Sequence, residues 1–341
     1  IQYLASSTQY QIPNTRYPKL IMDFCDLDSD KWLQYSQKTQ FPMSLVYKME
    51  SRLLLRYEEQ INQLFDNSIF VSQQEANLFQ TLFPKAKNIS VIPNGVDYNY
   101  FSPYQTAINE HLESSTQYPV PSTQYSTSSR PAIRNSQPTN HQSSIVNRQS
   151  SIAQHPASSA QYPVPNTQRP ILLFTGAMDY HANIEGVTWF CNDVFPAVKS
   201  EFPESQFYIV GSKPHPKVRN LGSNDGVRVT GFVEDIRPYY QAADVCVIPL
   251  RLARGIQNKV LEAMAMGKAV VTTSKAIEGI RAATGKQVLV EDTPNGFSNM
   301  VLTLIKDRET RKRLGTNARQ FVMKNYNWST NMKKLDALLQ A

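Results

Sequence analysis

From residue 171 onward, apolar residues come in short, nearly uninterrupted runs: 171–174, 206–210, 227–230, 245–248, 269–272 and 288–290. Runs this short, bounded by Gly, Pro, Asp and Thr, read as strands, and that over 245–248 looks buried. Between them the apolar positions recur at spacings of three and four. That spacing predicts helices around 183–200, 236–242, 259–266, 295–305 and 308–324, with a last helix over 330–339 that closes the structure. Strands alternating with helices imply a parallel sheet, and six of them imply a doubly wound α/β domain with its ligand at the carboxyl ends of the strands. The same alternation runs through 20–97 but is shorter. It gives a strand over 20–25 and a helix starting near Trp32 with Asp28 or Ser29 as its cap. A longer helix follows over 43–62, carried by Leu45, Met49, Leu53, Tyr57 and Ile61. After a strand over 68–71, Ser72-Gln73-Gln74-Glu75 forms a capping box for a helix through Leu82. A strand over 89–92 then enters a turn at Pro93-Asn94-Gly95-Val96-Asp97. This is about half of an α/β domain.

Two stretches lack this pattern. Residues 1–18 and 106–168 are rich in Ser, Thr, Gln, Pro and Tyr, and the segment 6–16 recurs almost verbatim at 114–124 and 158–168. The copies are unevenly spaced, so they do not make a solenoid. With almost no core-forming residues, such a segment cannot offset the entropy of ordering, and disorder is expected. The expected organisation is a disordered tail over 1–18 and a partial N-terminal α/β domain over 19–105. A disordered insert or linker follows over 106–168. The complete C-terminal domain spans 169–325, and a closing helix spans 326–341.

Composition narrows the function. The 341 residues are 41% hydrophobic and 18% charged, ordinary for a soluble protein with a polar segment. No run of about 18 apolar residues offers a transmembrane helix. The first residues have neither a basic start nor an apolar core, so they do not read as a signal peptide, and the missing initial Met points to a processed or truncated chain. Cys25, Cys191 and Cys246 are scattered and odd in number, as in a reducing compartment. No CxxC or HxxxH spacing offers a metal site. The net charge of +7 is local: nine Lys or Arg against three acidic residues lie between Lys306 and Ala341. That excess suits either a solvated helix face or contact with an anionic membrane surface. No aromatic-interleaved basic motif accompanies it, so nucleic acid is not an expected partner.

The richest chemistry lies in 254–267, Arg-Gly-Ile-Gln-Asn-Lys-Val-Leu-Glu-Ala-Met-Ala-Met-Gly. In the helix, Val260, Leu261, Met264 and Ala265 fall on one side, while Lys259 and Glu262 fall off it near the start. Gly255 to Asn258 leave backbone N–H groups at the positive end of the helix dipole, which attracts phosphate. A carboxylate one turn further in suits a ribose hydroxyl. The loop alone leaves open an ordinary βαβ crossover with solvated Lys and Glu.

The ordered set changes the balance. Thr175-Gly176-Ala177-Met178-Asp179-Tyr180, Val210-Gly211-Ser212, Val229 to Asp235, Ala243-Asp244-Val245 and 255–267 together resemble glycosyltransferases of the GT-B fold, family 4 or group 1 type. Ile92 to Asp97 with Phe101-Ser102-Pro103 resembles the end of the N-terminal domain in that family. The wording at 175–180 and at 28–32 is most similar to sugar transferases of bacterial exopolysaccharide systems. The resemblance covers about 20–103 and 169–341. It implies a GT-B-like α/β protein whose C-terminal domain binds a nucleotide-sugar donor and transfers the sugar to a hydroxyl acceptor. Glu262 matches the carboxylate that holds the ribose, Gly255, Ile256, Gln257 and Asn258 would meet the diphosphate, and Lys259 would add charge. Gly231, Phe232 and Val233 match the loop that passes the base, and Gly176 the loop near the phosphates. The donor is a substrate, and no cofactor or metal is expected. A cytoplasmic location is implied, peripheral at the inner membrane face if the basic excess meets lipid.

The chain departs from the family pattern in three places. Arg254 stands where a second Glu is usual, and it becomes a candidate to neutralise phosphate. Asn183 stands where a Lys often lies, with Lys213 as a candidate substitute. The first half of the N-terminal domain has no counterpart, so no general base is assigned, and His181 is a candidate catalytic group. Two alternatives follow: a non-catalytic nucleotide-sugar-binding remnant, and a GT-B sugar-nucleotide epimerase.

Overall fold

The computed structural model describes residues 19–103 and 169–340. The tail over 1–18 and the insert over 106–168 lie outside the described residues. The first half contains β1 (Ile21–Cys25), α1 (Asp28–Lys38), α2 (Met43–Leu64), β2 (Asn67–Phe70), α3 (Gln73–Leu82) and β3 (Ile89–Val91). Its three strands are parallel in the order β1-β2-β3. The second half runs β4 (Ile171–Thr175), α4 (His181–Trp189), α5 (Phe195–Glu201), β5 (Gln206–Val210), α6 (Pro216–Leu221), β6 (Val227–Gly231), α7 (Arg237–Ala242) and β7 (Val245–Ile248). It continues with α8 (Asn258–Ala265), β8 (Ala269–Thr272), α9 (Ser274–Ile277), β9 (Leu289–Val290), α10 (Pro294–Lys306), α11 (Arg308–Asn325) and α12 (Trp328–Gln340).

The second sheet has the order β6-β5-β4-β7-β8-β9, and every pairing is parallel. The order reverses between β4 and β7. Loops leaving the two strands part in opposite directions there and open a crevice at their carboxyl ends. Strands β4, β7 and β8 are buried at every position, as their apolar runs require. The expected helix over 183–200 is broken into α4, a π turn over Phe190–Val194 and α5. Pro196 supplies the reason: it has no N–H for the helix ladder, and a wider turn absorbs the missing bond.

Two helix starts differ from expectation in an informative way. Neither Asp28 nor Ser29 caps α1; its cap position is Leu27, with no side-chain cap. Carboxylates from other helices do that work. Leu27 N–H donates to Glu75 Oε2 at 2.8 Å and Ser29 N–H to Glu58 Oε1 at 3.0 Å. At α3, Ser72 Oγ accepts Glu75 N–H at 3.2 Å as expected. The Glu75 side chain, however, does not complete the box, because it is spent on Leu27 and on the second half of the molecule.

Both halves lie in one unit of the fold. Its seam includes the last helix: Asn331 Nδ2 donates to the Pro93 carbonyl at 2.8 Å, and Val96 N–H donates to the Tyr326 carbonyl at 2.9 Å. Part of the basic excess is consumed at this seam, through Arg319, and part within the second half. Arg319 donates to the carbonyls of Tyr98, Phe101 and Ala265, Arg311 pairs with Asp244 at 3.2 Å, and Lys306 pairs with Glu201.

Candidate functional site

The crevice at the carboxyl ends of the six-stranded sheet is a cavity of about 540 Å³. Three adjacent strands end in it. Gly176 follows β4, and its N–H donates to the Val210 carbonyl at 3.0 Å. Gly211 follows β5 so closely that a Cβ would overlap the Gly176 carbonyl, which restricts that position to glycine. Gly231 ends β6, and its carbonyl accepts Gly211 N–H at 3.2 Å. These backbone contacts hold the loops low and leave the space above them open.

The opposite wall is α8. Its cap residue Gln257 makes no side-chain cap bond, so the helix presents an uncapped N-terminus, which favours an anion through its N–H groups and dipole. Val260, Leu261, Ala263, Met264 and Ala265 are buried and fix the helix against the sheet. That packing aims Lys259 and Glu262 into the cavity. Lys259 Nζ donates to Asn183 Oδ1 at 2.7 Å and lies 5.0 Å from the centre of the Phe174 ring. Asn183 is itself anchored, its Nδ2 donating to the Ala177 carbonyl at 2.8 Å. Burial lowers the Lys259 ammonium to about 8, with Glu262 opposing the shift. Burial pushes the Glu262 carboxyl up, opposed by the Tyr240 hydroxyl and the Lys259 ammonium.

Behind Glu262 stands a buried hydroxyl chain. Tyr240 Oη donates to Glu262 Oε2 at 3.1 Å and lies 2.8 Å from Thr175 Oγ1. With the tyrosine proton directed at the carboxylate, Thr175 donates to Tyr240. The chain fixes one oxygen of Glu262 and leaves the other for a ligand. Burial and the Glu262 charge raise the Tyr240 phenol well above its usual value, so it remains a donor.

Among the residues singled out in sequence, Gly176, Phe232, Val233, Ile256, Gln257, Asn258, Lys259 and Glu262 line this cavity together. Phe232 is 75% exposed, a bare ring at the rim. Gly231 and Gly255 support the lining from one residue away. Three candidates are placed elsewhere. Lys213 is exposed and stands 3.8 Å from Asp179. His181 opens α4, with its ring 5.1 Å from that of Tyr35. Arg254, expected to neutralise phosphate, is instead held by Asp30 and Glu75. Its guanidinium is engaged by these two carboxylates of the first half and is not among the groups that line the cavity.

Sequence reasoning missed part of the lining: Tyr100, Phe101, Glu234, Ile236 and the Tyr240 support. Phe101 meets Tyr240 edge-on at 6.1 Å, and Arg237 stacks 4.2 Å over the Tyr100 ring. The only signal was the Phe101-Ser102-Pro103 segment itself, which nothing local ties to a site more than 70 residues away. Among the described residues, no group of three His, Cys, Asp or Glu side chains is placed to hold a metal ion.

Comparison with known proteins bears on the fold and on the similarity of the second half. Residues 169–307 match the family model for glycosyl transferases group 1. An uncharacterized 44.6 kDa protein in the cps region of Klebsiella pneumoniae is 24% identical over 163 residues, 46% of this chain and 42% of that protein. An uncharacterized glycosyltransferase of Methanocaldococcus jannaschii is 26% identical over 34% of this chain and 31% of its own. The matched regions thus span less than half the length of these relatives. Among solved structures, a sucrose-phosphate synthase of Thermosynechococcus elongatus superposes with a TM-score of 0.62 at 19% identity, over 94% of this chain and 67% of its own. Anabaena HepE, solved with UDP and glucose, gives 0.62 at 15% identity over 95% and 72%. The chain therefore has a GT-B-like α/β fold, and its segment 169–307 carries the similarity to the group 1 glycosyl transferases.

Proposed function

We propose that this chain is a glycosyltransferase that moves a sugar from a nucleoside-diphosphate sugar to a hydroxyl acceptor in the synthesis of a surface polysaccharide or glycoconjugate. One observation carries the reading: an uncapped helix N-terminus, Lys259 and Glu262 meet in one cavity at the switch point of the sheet. In this reading the diphosphate sits on the N-terminus of α8, with Lys259 supplying a cation beside it. The free oxygen of Glu262 accepts from the ribose hydroxyls. Phe232 and Val233 flank the base, and the Gly176 loop approaches the phosphates. In the transfer, the bond from the anomeric carbon to the phosphate oxygen breaks, and its electron pair leaves with the diphosphate. The acceptor oxygen bonds the same carbon and releases its proton to solvent, so donor and acceptor yield glycoside, nucleoside diphosphate and one proton. The helix dipole and Lys259 stabilise the charge that develops on the leaving group, and no metal is invoked for it.

The Klebsiella relative from a cps region supports a role in surface polysaccharide. No described helix is long and apolar enough to cross a membrane. A cytoplasmic protein in peripheral contact with the inner membrane face is the reading proposed here, supported by the cations that α11 and α12 carry.

The test is release of nucleoside diphosphate from a panel of UDP-, GDP- and ADP-hexoses, with simple sugars and lipid-linked sugars as acceptors. One donor is expected to be consumed, with Lys259→Ala lowering kcat about 100-fold through loss of leaving-group stabilisation. Consumption of no sugar nucleotide would overturn transfer as the function.

A further inference from the structure

The loop that meets the diphosphate in the proposed function is held from the other half of the molecule. Glu75, at the start of α3, is 2% exposed and uses both carboxylate oxygens. Oε1 accepts Gly255 N–H at 3.3 Å, and Oε2 accepts Leu27 N–H at 2.8 Å. Arg254 Nη1 stands 3.6 Å from Oε1, and its Nη2 binds Asp30 Oδ2. One buried carboxylate therefore joins the end of β1, the start of α1 and the first residues of the 254–258 loop. Gly255 lies in the left-handed region at φ +61°, with the Asp26 carboxylate packed where a Cβ would be. The loop is thereby packed against the first half, and its N–H at 255 is already taken. The N–H groups that remain for an anion belong to the residues just after it.

We infer that Glu75 is a positioning residue for nucleotide binding: it fixes Gly255 and Arg254 so that the backbone from Ile256 to Lys259 faces the cavity. Arg254 serves as the counter-charge for Glu75 and Asp30 in a buried seam, because an unpaired buried carboxylate is costly. The chain thus retains a charged group at position 254 but uses it to brace the loop. This inference rests on the proposed donor site. Its consequence is that nucleotide affinity depends on a side chain that touches no nucleotide and is separated from the loop by 180 positions.

The test measures UDP binding by calorimetry to the whole chain. Glu75→Gln keeps the shape but loses one acceptor and the charge facing Arg254. It is expected to weaken UDP about tenfold, as loss of a charge-assisted bond does. Glu58→Gln is the control: Glu58 is equally buried, accepts the Ser29 N–H and does not reach the loop. It is expected to shift UDP affinity less than twofold even where it lowers Tm. Should Glu75→Gln fail to fold, Glu75→Asp preserves the charge while shortening the reach. It is expected to weaken UDP about fivefold and to speed amide exchange over 255–258. Equal affinity losses in the Glu58 and Glu75 variants, or unchanged UDP binding in both Glu75 variants, would overturn the inference while leaving the donor site standing. Absence of UDP, GDP and ADP binding in the unaltered chain would overturn both.

Discussion

The two parallel sheets of this chain follow the same strand–helix alternation, yet their helices hide opposite things. On the six-stranded sheet, α8 buries five apolar residues and sends Lys259 and Glu262 outward into the cavity. On the three-stranded sheet, α2 buries Ser51, Glu58, Ile61 and Asn62. Its apolar residues Leu45, Val46, Met49, Leu53, Tyr57 and Leu64 are exposed, Leu53 by 57%. The six-stranded half closes its own core. The three-stranded half has a smaller core, Leu27, Phe70, Ala76, Phe79 and Phe83, and is held besides by buried polar bonds, such as Asn62 to Ser68 Oγ at 2.8 Å and to the Lys87 carbonyl at 3.0 Å, and by its seam with the second half. The comparison teaches that binding chemistry sits on the self-sufficient sheet, while the smaller sheet contributes bracing.

Mutations can break this contrast. The largest effect is expected in the six-stranded core. Leu172, fully buried in the central strand β4, is expected to cost about 2–5 kcal/mol when replaced by Ala, read as a lower midpoint in urea unfolding. A loss below about 1 kcal/mol would mean that this core is not the main source of stability. Next comes the seam. Gly255→Ala places a Cβ against Asp26 in a left-handed backbone and is expected to cost about 2 kcal/mol in thermal unfolding, with weaker UDP binding.

A smaller effect is tied to pH. The groups facing Lys259 are Glu262, Asn183 and, behind Glu262, Tyr240. In the free protein its ammonium loses a proton near pH 8, because burial disfavours the charged form. A diphosphate favours the protonated form, so above that pH binding must take up a proton. UDP affinity is expected to fall above about pH 8 by up to tenfold per pH unit, or ~1.4 kcal/mol. A flat profile from pH 7 to 10 would remove Lys259 from the phosphate site. The smallest effect belongs to the bare stripe: Leu53→Ser and Met49→Ser are expected to change stability by less than about 0.5 kcal/mol while lowering the binding of apolar dyes. A large loss of stability would show that the stripe is packed.

The same contrast explains what could be read from the chain. Strands 245–248 and 269–272 match the structure at both ends because a strand buried on both faces writes an uninterrupted apolar run; 206–210 matches as well, with Gln206 and Tyr208 only half-buried. The loop before α8 was legible because its chemistry is local: Gly, an uncapped helix start, then Lys and Glu within one turn. The caps of α1 were not legible. Their carboxylates, Glu58 and Glu75, arrive from 29 and 48 positions away. The fate of Arg254 was hidden for the same reason, since its partner Asp30 lies 224 positions earlier. Tyr240 reads as a core aromatic of α7, and only the fold reveals that its hydroxyl reaches Glu262. Helix α2 was legible as a helix, but of the apolar residues that carry its periodicity Leu45, Met49, Leu53 and Tyr57 are exposed and only Ile61 is buried.

The most direct measurement is calorimetric titration of UDP into the unaltered chain and into Glu262→Ala. The proposed donor site requires one UDP per chain in the unaltered protein. It also requires a loss of affinity of about 100-fold or more when the carboxylate that holds the ribose is removed, as for two hydrogen bonds to a charged group. Equal affinity of the two proteins for UDP would contradict the assignment of Glu262 and, with it, the placement of the nucleotide in this cavity.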